Sequence, residues 1–173
     1  WATNKERVGT ANGIERDGKC MEVFDPKFFA WHLGKAASGT NAVHEKRSIG
    51  IEFASEGPMF PQEGGPVTIF KSPKTGRYLP PSGRIVDLGF NWRTFTVGGT
   101  TYPGRDFDAY DEDQIVTGID LVKDLLERFP TVPRQMPRDT LSYDPRLRGF
   151  KGIIGHHHVR PDKTDVHPQF PWE

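Results

Sequence analysis

Ser48-Ile49-Gly50-Ile51-Glu52-Phe53 alternates apolar side chains with small or polar ones, which is the period of a strand that buries one face and presents the other. It is read as a half-buried strand. Upstream, residues 13–24 run Gly-Ile-Glu-Arg-Asp-Gly-Lys-Cys-Met-Glu-Val-Phe, and Asp17-Gly18 is a tight-turn signal between two short runs of strand composition. A hairpin is expected there. Between hairpin and strand, Asp25-Pro26 starts a turn that leads into the aromatic-rich Phe28-Phe29-Ala30-Trp31-His32. A Gly/Ala/Ser/Asn loop then runs to about residue 44.

Downstream, residues 54–105 hold many Gly and Pro around short strand-like runs: Val67-Thr68-Ile69-Phe70, Arg84-Ile85-Val86-Asp87-Leu88 and Thr94-Phe95-Thr96-Val97. Gly64-Gly65 and Gly98-Gly99 supply turns. This segment is read as a β-rich insertion within a single domain spanning 1–173. A helix is expected from Glu112 to Phe129, because Ile115, Ile119, Val122, Leu126 and Phe129 recur at spacings of three and four and form one apolar stripe. Asp111 with Gln114 resembles a capping box, and Pro130 stops the helix. The Pro- and Arg-rich residues 131–149 are read as an ordered loop or a short helix. Phe150-Lys151-Gly152-Ile153-Ile154-Gly155 is read as a short buried strand delivering His156, and a polar tail closes on Phe170-Pro171-Trp172.

The chain of 173 residues is long enough for one ordinary domain with a real core. Lys+Arg and Asp+Glu balance at 23 each, so the long-range field that recruits nucleic acid or an anionic membrane is missing. No run approaches the roughly 20 apolar residues of a membrane span. The single Cys20 excludes an internal disulfide or a thiolate metal cluster and is read as a small core-facing strand residue. The sequence starts at Trp1 without a signal-peptide core, which is read as processing or missing upstream residues.

The chemistry concentrates near the end. His156, His157 and His158 follow the expected strand, and Lys163, Asp165 and His167 come soon after. His and Asp at the end of a strand and in its loop can meet at one zinc ion, which takes nitrogen and oxygen ligands in a tetrahedron. On pattern alone, such a tract fits a surface tract or a nucleotide-handling loop equally well.

Gly155-His156-His157-His158-Val159-Arg160-Pro161-Asp162-Lys163-Thr164-Asp165, followed by Pro168-Gln169-Phe170-Pro171-Trp172, resembles the C-terminal motif of the type-2 N-acetylmuramoyl-L-alanine amidases. That family includes muropeptide-recycling enzymes and phage endolysins and is related to the peptidoglycan recognition proteins. Ala30-Trp31-His32-Leu33-Gly34 and Ser48-Ile49-Gly50-Ile51-Glu52 resemble two further motifs of the family, in the right order. The resemblance implies an α/β fold in which a mixed central β-sheet is flanked by helices. It also implies hydrolysis of the amide between N-acetylmuramic acid and L-alanine in peptidoglycan. His156 and Asp165 would be ligands of Zn2+, Glu52 would position or deprotonate the attacking water, and Lys163 would stabilise the oxyanion. Trp31 and His32 would form the floor or wall of the glycopeptide groove, with packing as their alternative role, and peptidoglycan or its muropeptides would be the partner. His157, His158 and His167 are read as supporting or surface residues.

The family takes its first zinc ligand from a histidine well before the hairpin, whereas this chain has no histidine before His32. The favoured reading is an upstream segment supplying the third ligand, its strand missing from this chain. The alternatives are a substitute from His44, His157 or His167, or a non-catalytic peptidoglycan-binding module. Glu45 stands where the family has asparagine. The insertion is read either as decoration or as a wall of the substrate groove. The setting inclines to a phage lysin, with a secreted, periplasmic or recycling bacterial enzyme as the alternative.

Overall fold

The computed structural model of the chain describes residues 9–28, 30–34, 46–147 and 149–172. His44, Glu45 and most of the loop expected before them lie outside the described residues. The chain divides into two compact units, Trp1–Ala54 with Asp111–Pro161, and Ser55–Tyr110 with Asp162–Glu173. Among the described residues, no helix is long and apolar enough to cross a membrane.

In the first unit the expected hairpin forms. β1 (Asn12–Ile14) and β2 (Cys20–Glu22) pair antiparallel, and Gly18 supplies the turn at φ 79, where a side chain would be strained. Cys20 is exposed rather than facing the core. β3 (Ile51–Phe53) joins the other edge of β1 in parallel, with Gly13 opposite Glu52. The sheet β2-β1-β3 is therefore mixed and small.

Helix α1 (Glu112–Arg128) packs on β1, and its buried residues are Gln114, Gly118 and Leu125. Of the expected stripe, Ile115, Val122, Leu126 and Phe129 are half-buried and Ile119 lies 44% exposed, whereas Gln114 is fully buried, so the inward face is centred beside the stripe and not on it. The cause is a polar contact that hydrophobic periodicity does not register. The Gln114 amide donates to the carbonyls of Ile14 (3.1 Å) and Ala54 (2.9 Å), so one side chain ties the helix to the ends of β1 and β3. Asp111 makes no side-chain cap and forms an ion pair with Arg16 at 3.1 Å, and the Gln114 side chain is bonded elsewhere, so the capping box is not formed. Thr117 adds a bond to the Gly18 carbonyl at 2.9 Å. Gly118 brings the backbone against the Phe53 ring, and a Cβ there would stand 2.5 Å from the ring's Cζ.

Residues 150–155 do not pair as a strand. Gly152 turns the chain at φ 140, and Gln135 takes up this segment's backbone, its carbonyl accepting from Ile153 (2.9 Å) and its amide donating to the Lys151 carbonyl (2.6 Å). His156 heads a single helical turn, α2 (His156–Val159), and a 3-10 turn covers Pro145–Leu147.

The second unit is β-rich. β4 (Phe60–Gln62) pairs with β5 (Gly65–Val67), and β6 (Ile85–Asp87) with β9 (Asp106–Asp108). β7 (Thr94–Val97) and β8 (Thr100–Pro103) form a hairpin whose turn is Gly98-Gly99. β9 is the centre: besides β6 it bonds the 57–59 segment, where Met59 donates to the Asp106 carbonyl (2.8 Å) and Asp108 to that of Gly57 (3.0 Å). Met59, Phe60, Phe107 and Ala109 are buried around it.

Helix propensity alone makes Gly118→Ala stabilising by about 1 kcal/mol. The Phe53 contact reverses the sign, and we expect a loss of about 1–3 kcal/mol in urea unfolding; a gain in stability would contradict this packing.

Candidate active site

In the first unit, three motifs meet at two points. The first is the Leu33 carbonyl. Arg160, 8% exposed, donates to it from Nη1 at 2.8 Å, and the His156 Nε2 lies 3.2 Å away. Leu33 and Val159 bury their side chains together with Ile154 against them, so the contact is apolar as well as polar. The second point is His32, half-buried, whose Nδ1 lies 3.0 Å from the Ala30 carbonyl and whose Nε2 lies 3.0 Å from the Ser48 hydroxyl. Its ring presses on Gly50, where an added Cβ would stand 3.0 Å from the His32 Cγ. This brings the chain leading into β3 against Trp31-His32-Leu33. Trp31 is half-buried, and Glu52 stands on the exposed side of β3.

His157 and His158 are fully buried, not surface residues. The His157 Nε2 reaches the Thr140 carbonyl at 3.0 Å, and the His158 Nδ1 accepts from the Gly155 amide at 2.8 Å. Their rings lie 4.0 Å apart. Both imidazoles thus brace α2 and the loop before it.

Lys163 and Asp165 belong to the second unit. Their segment is fastened by aromatic rings. His167, 3% exposed, stacks on Tyr110 at 4.7 Å with 11° between the planes, and lies 5.3 Å from Phe107. Phe170 meets Tyr110 edge-on at 5.4 Å, and Trp172 follows at 5.1 Å from Phe170. Burial pulls the His167 imidazole down to about 4, with Asp108 acting in the opposite sense, so the ring is neutral near pH 7 and can be enclosed without a charge. Burial, and next Asp165, push the Tyr110 phenol up from its ordinary value, which keeps the hydroxyl protonated beside that carboxylate. Lys163 is half-buried and Asp165 exposed.

Among the described residues, no group of three or more His, Cys, Asp or Glu side chains is placed to hold a metal ion. His157 and His167, considered above as substitute ligands, are buried in the packing just described. The described residues therefore do not build a complete metal centre by themselves.

The family model described as N-acetylmuramoyl-L-alanine amidase matches residues 2–168. The chain belongs to this amidase family. No curated protein and no solved structure matches it. Membership gives the coarse activity, amide hydrolysis in peptidoglycan, and the match of this amidase takes in residues of both units.

In this amidase the sequence marks Gln114 only as part of a capping box, and it does not mark Tyr110 or Phe107. A glutamine inside an otherwise apolar helix face was the available signal for the first. Phe107 and Tyr110 sit in a stretch without periodicity and could not be paired with His167 from sequence. Replacing His167 with Ala removes the ring between Phe107 and Tyr110, and we expect a cost of about 2–4 kcal/mol, read as faster proteolysis near the C-terminus. Unchanged protection would mean that the ring does not hold the tail.

Proposed function

We propose that this chain hydrolyses the amide joining N-acetylmuramic acid to L-alanine, with zinc as cofactor. The observation that supports the reading is the meeting of the Trp31-His32-Leu33 segment, the residues leading into β3 and His156 within one unit, in a chain of the amidase family. His156 and Asp165 would hold the metal, with a further ligand from beyond the described residues, and zinc held there would supply Lewis-acid activation for the hydrolysis. On this reading the small mixed sheet extends into a strand carrying that ligand, as part of a central sheet flanked by helices. The whole chain then acts as one amidase domain with residues 54–105 as its insertion.

The chain's own groups carry the proton and the charge. Glu52 takes a proton from the water as the oxygen adds to the amide carbon. Lys163 stabilises the negative oxygen of the tetrahedral intermediate. On collapse the C–N bond breaks and the proton passes from Glu52 to the L-alanine nitrogen. Trp31 and His32 line the groove for the glycopeptide. No covalent intermediate with the protein is needed.

A second reading, a peptidoglycan-binding module without turnover, is favoured by the absence of a three-ligand group among the described residues. Stoichiometric zinc with release of free stem peptides supports the enzyme. Tight muropeptide binding without turnover supports the module.

Glu52→Ala is expected to abolish wall lysis while zinc stays bound, and full lysis by that variant would remove Glu52 from the mechanism. Lys163→Met is expected to lower kcat on a soluble muropeptide by about 100-fold or more with little change in KM; an unchanged kcat would exclude the oxyanion role.

A further inference from the structure

The insertion places a cation, Arg93, beside the loop that carries Lys163 and Asp165. Arg93 donates from Nη1 to the Lys163 carbonyl at 3.0 Å. Its backbone is fixed: Trp92 donates to the Gly104 carbonyl at 3.0 Å, and the Gly104 amide returns a bond to the Arg93 carbonyl, closing the base of the β7–β8 hairpin. Gly104 is required for that closure, since an added Cβ would stand 3.0 Å from the Phe107 Cζ on one side and against the Arg93 carbonyl on the other. The guanidinium lies 5.0 Å from the Trp92 ring, a cation–π contact that limits its swing. Trp92 in turn approaches Phe107, 6.1 Å between centroids, and Phe107 contacts His167. Arg93 is thus anchored to the same rings that fasten the end of the loop.

We propose that Arg93 is a positioning residue for the reaction: it fixes the 162–165 loop from the insertion side through the Lys163 carbonyl and through its charge beside the Asp162 and Asp165 carboxylates. This deepens the proposed function and rests on it. Partial burial pushes the guanidinium down from its ordinary range and the two carboxylates pull it back up, so the group stays charged with acidic neighbours on the loop. A guanidinium donates in a fixed plane, and orienting partners behind reactive groups typically contribute about 10- to 100-fold in activity. The insertion then does more than decorate the domain or wall a groove: one of its residues sets where a metal-ligand candidate and the oxyanion cation stand.

The test uses the full chain and a soluble muropeptide. Arg93→Gln keeps an N–H donor and drops the charge, Arg93→Lys keeps the charge and drops the planar fork, and Arg93→Met drops both. We expect kcat to fall about 10- to 100-fold in Arg93→Met and Arg93→Gln with KM within about 3-fold of the parent, and Arg93→Lys to recover part of the loss. Hydrogen exchange of the amides at 162–166 should quicken in Arg93→Gln while exchange in α1 stays unchanged. Should Arg93→Met fail to fold, Arg93→Gln decides. Parental kcat and exchange in Arg93→Gln overturn the proposal, as does a loss that Arg93→Lys does not relieve at all. Lys163→Met separates the two levels. If it is inactive while Arg93→Gln is fully active, the role of Arg93 falls and that of Lys163 stands; if Lys163→Met keeps full kcat, the assignment beneath both falls.

Discussion

A neutral imidazole stacked on a phenol fastens the C-terminal segment of the second unit. His167 lies face to face with Tyr110 and close to Phe107, and because burial drives its proton off, the ring is enclosed as an uncharged aromatic group. Lys163 and Asp165 immediately precede it, so their place is set by how the following residues pack on β9 and its neighbours. Phe107 at the centre of that strand is completely buried, and every bond of β9 to β6 and to the 57–59 segment stiffens the platform. The β-rich segment of this unit thereby supports the residues around His167.

In the other unit the organising atom is the Leu33 carbonyl oxygen. It accepts a charge-assisted bond from a nearly buried Arg160 and faces the His156 ring, with Leu33 and Val159 excluding water beside it. One peptide group thus holds two motifs together, and His32 ties the third through Ser48. The contiguous run from Gly155 to Trp172 is divided between the two units at Pro161 and Asp162.

What the sequence disclosed follows from the kind of signal each element emits. Asp17-Gly18 and Gly98-Gly99 mark turns through local backbone demands, and both hairpins form where those pairs stand. The helix at Glu112–Arg128 was readable from its period and its following proline, but not its rotation. A single glutamine that satisfies two strand-end carbonyls, and a glycine admitting Phe53, outweigh a stripe of aliphatic residues. The strand expected before His156 failed for a similar reason: Ile153-Ile154 has strand composition, yet Gly152 breaks the extension, Lys151 and Ile153 bond Gln135, and Ile154 packs on Leu33 and Val159. The family was readable because its motif residues stand in order along the chain. Arg93 and Tyr110 were not, because their partners Lys163 and His167 lie 70 and 57 residues away and only folding brings them near.

The proposed reaction is defined by which bond is cut. Purified peptidoglycan digested with this chain and resolved by mass spectrometry should yield stem peptides that begin with a free L-alanine amino group, together with glycan strands of unchanged length bearing free lactyl carboxylates. New reducing ends on the glycan, or cleavage inside the stem peptide with the muramoyl–alanine amide intact, would contradict it.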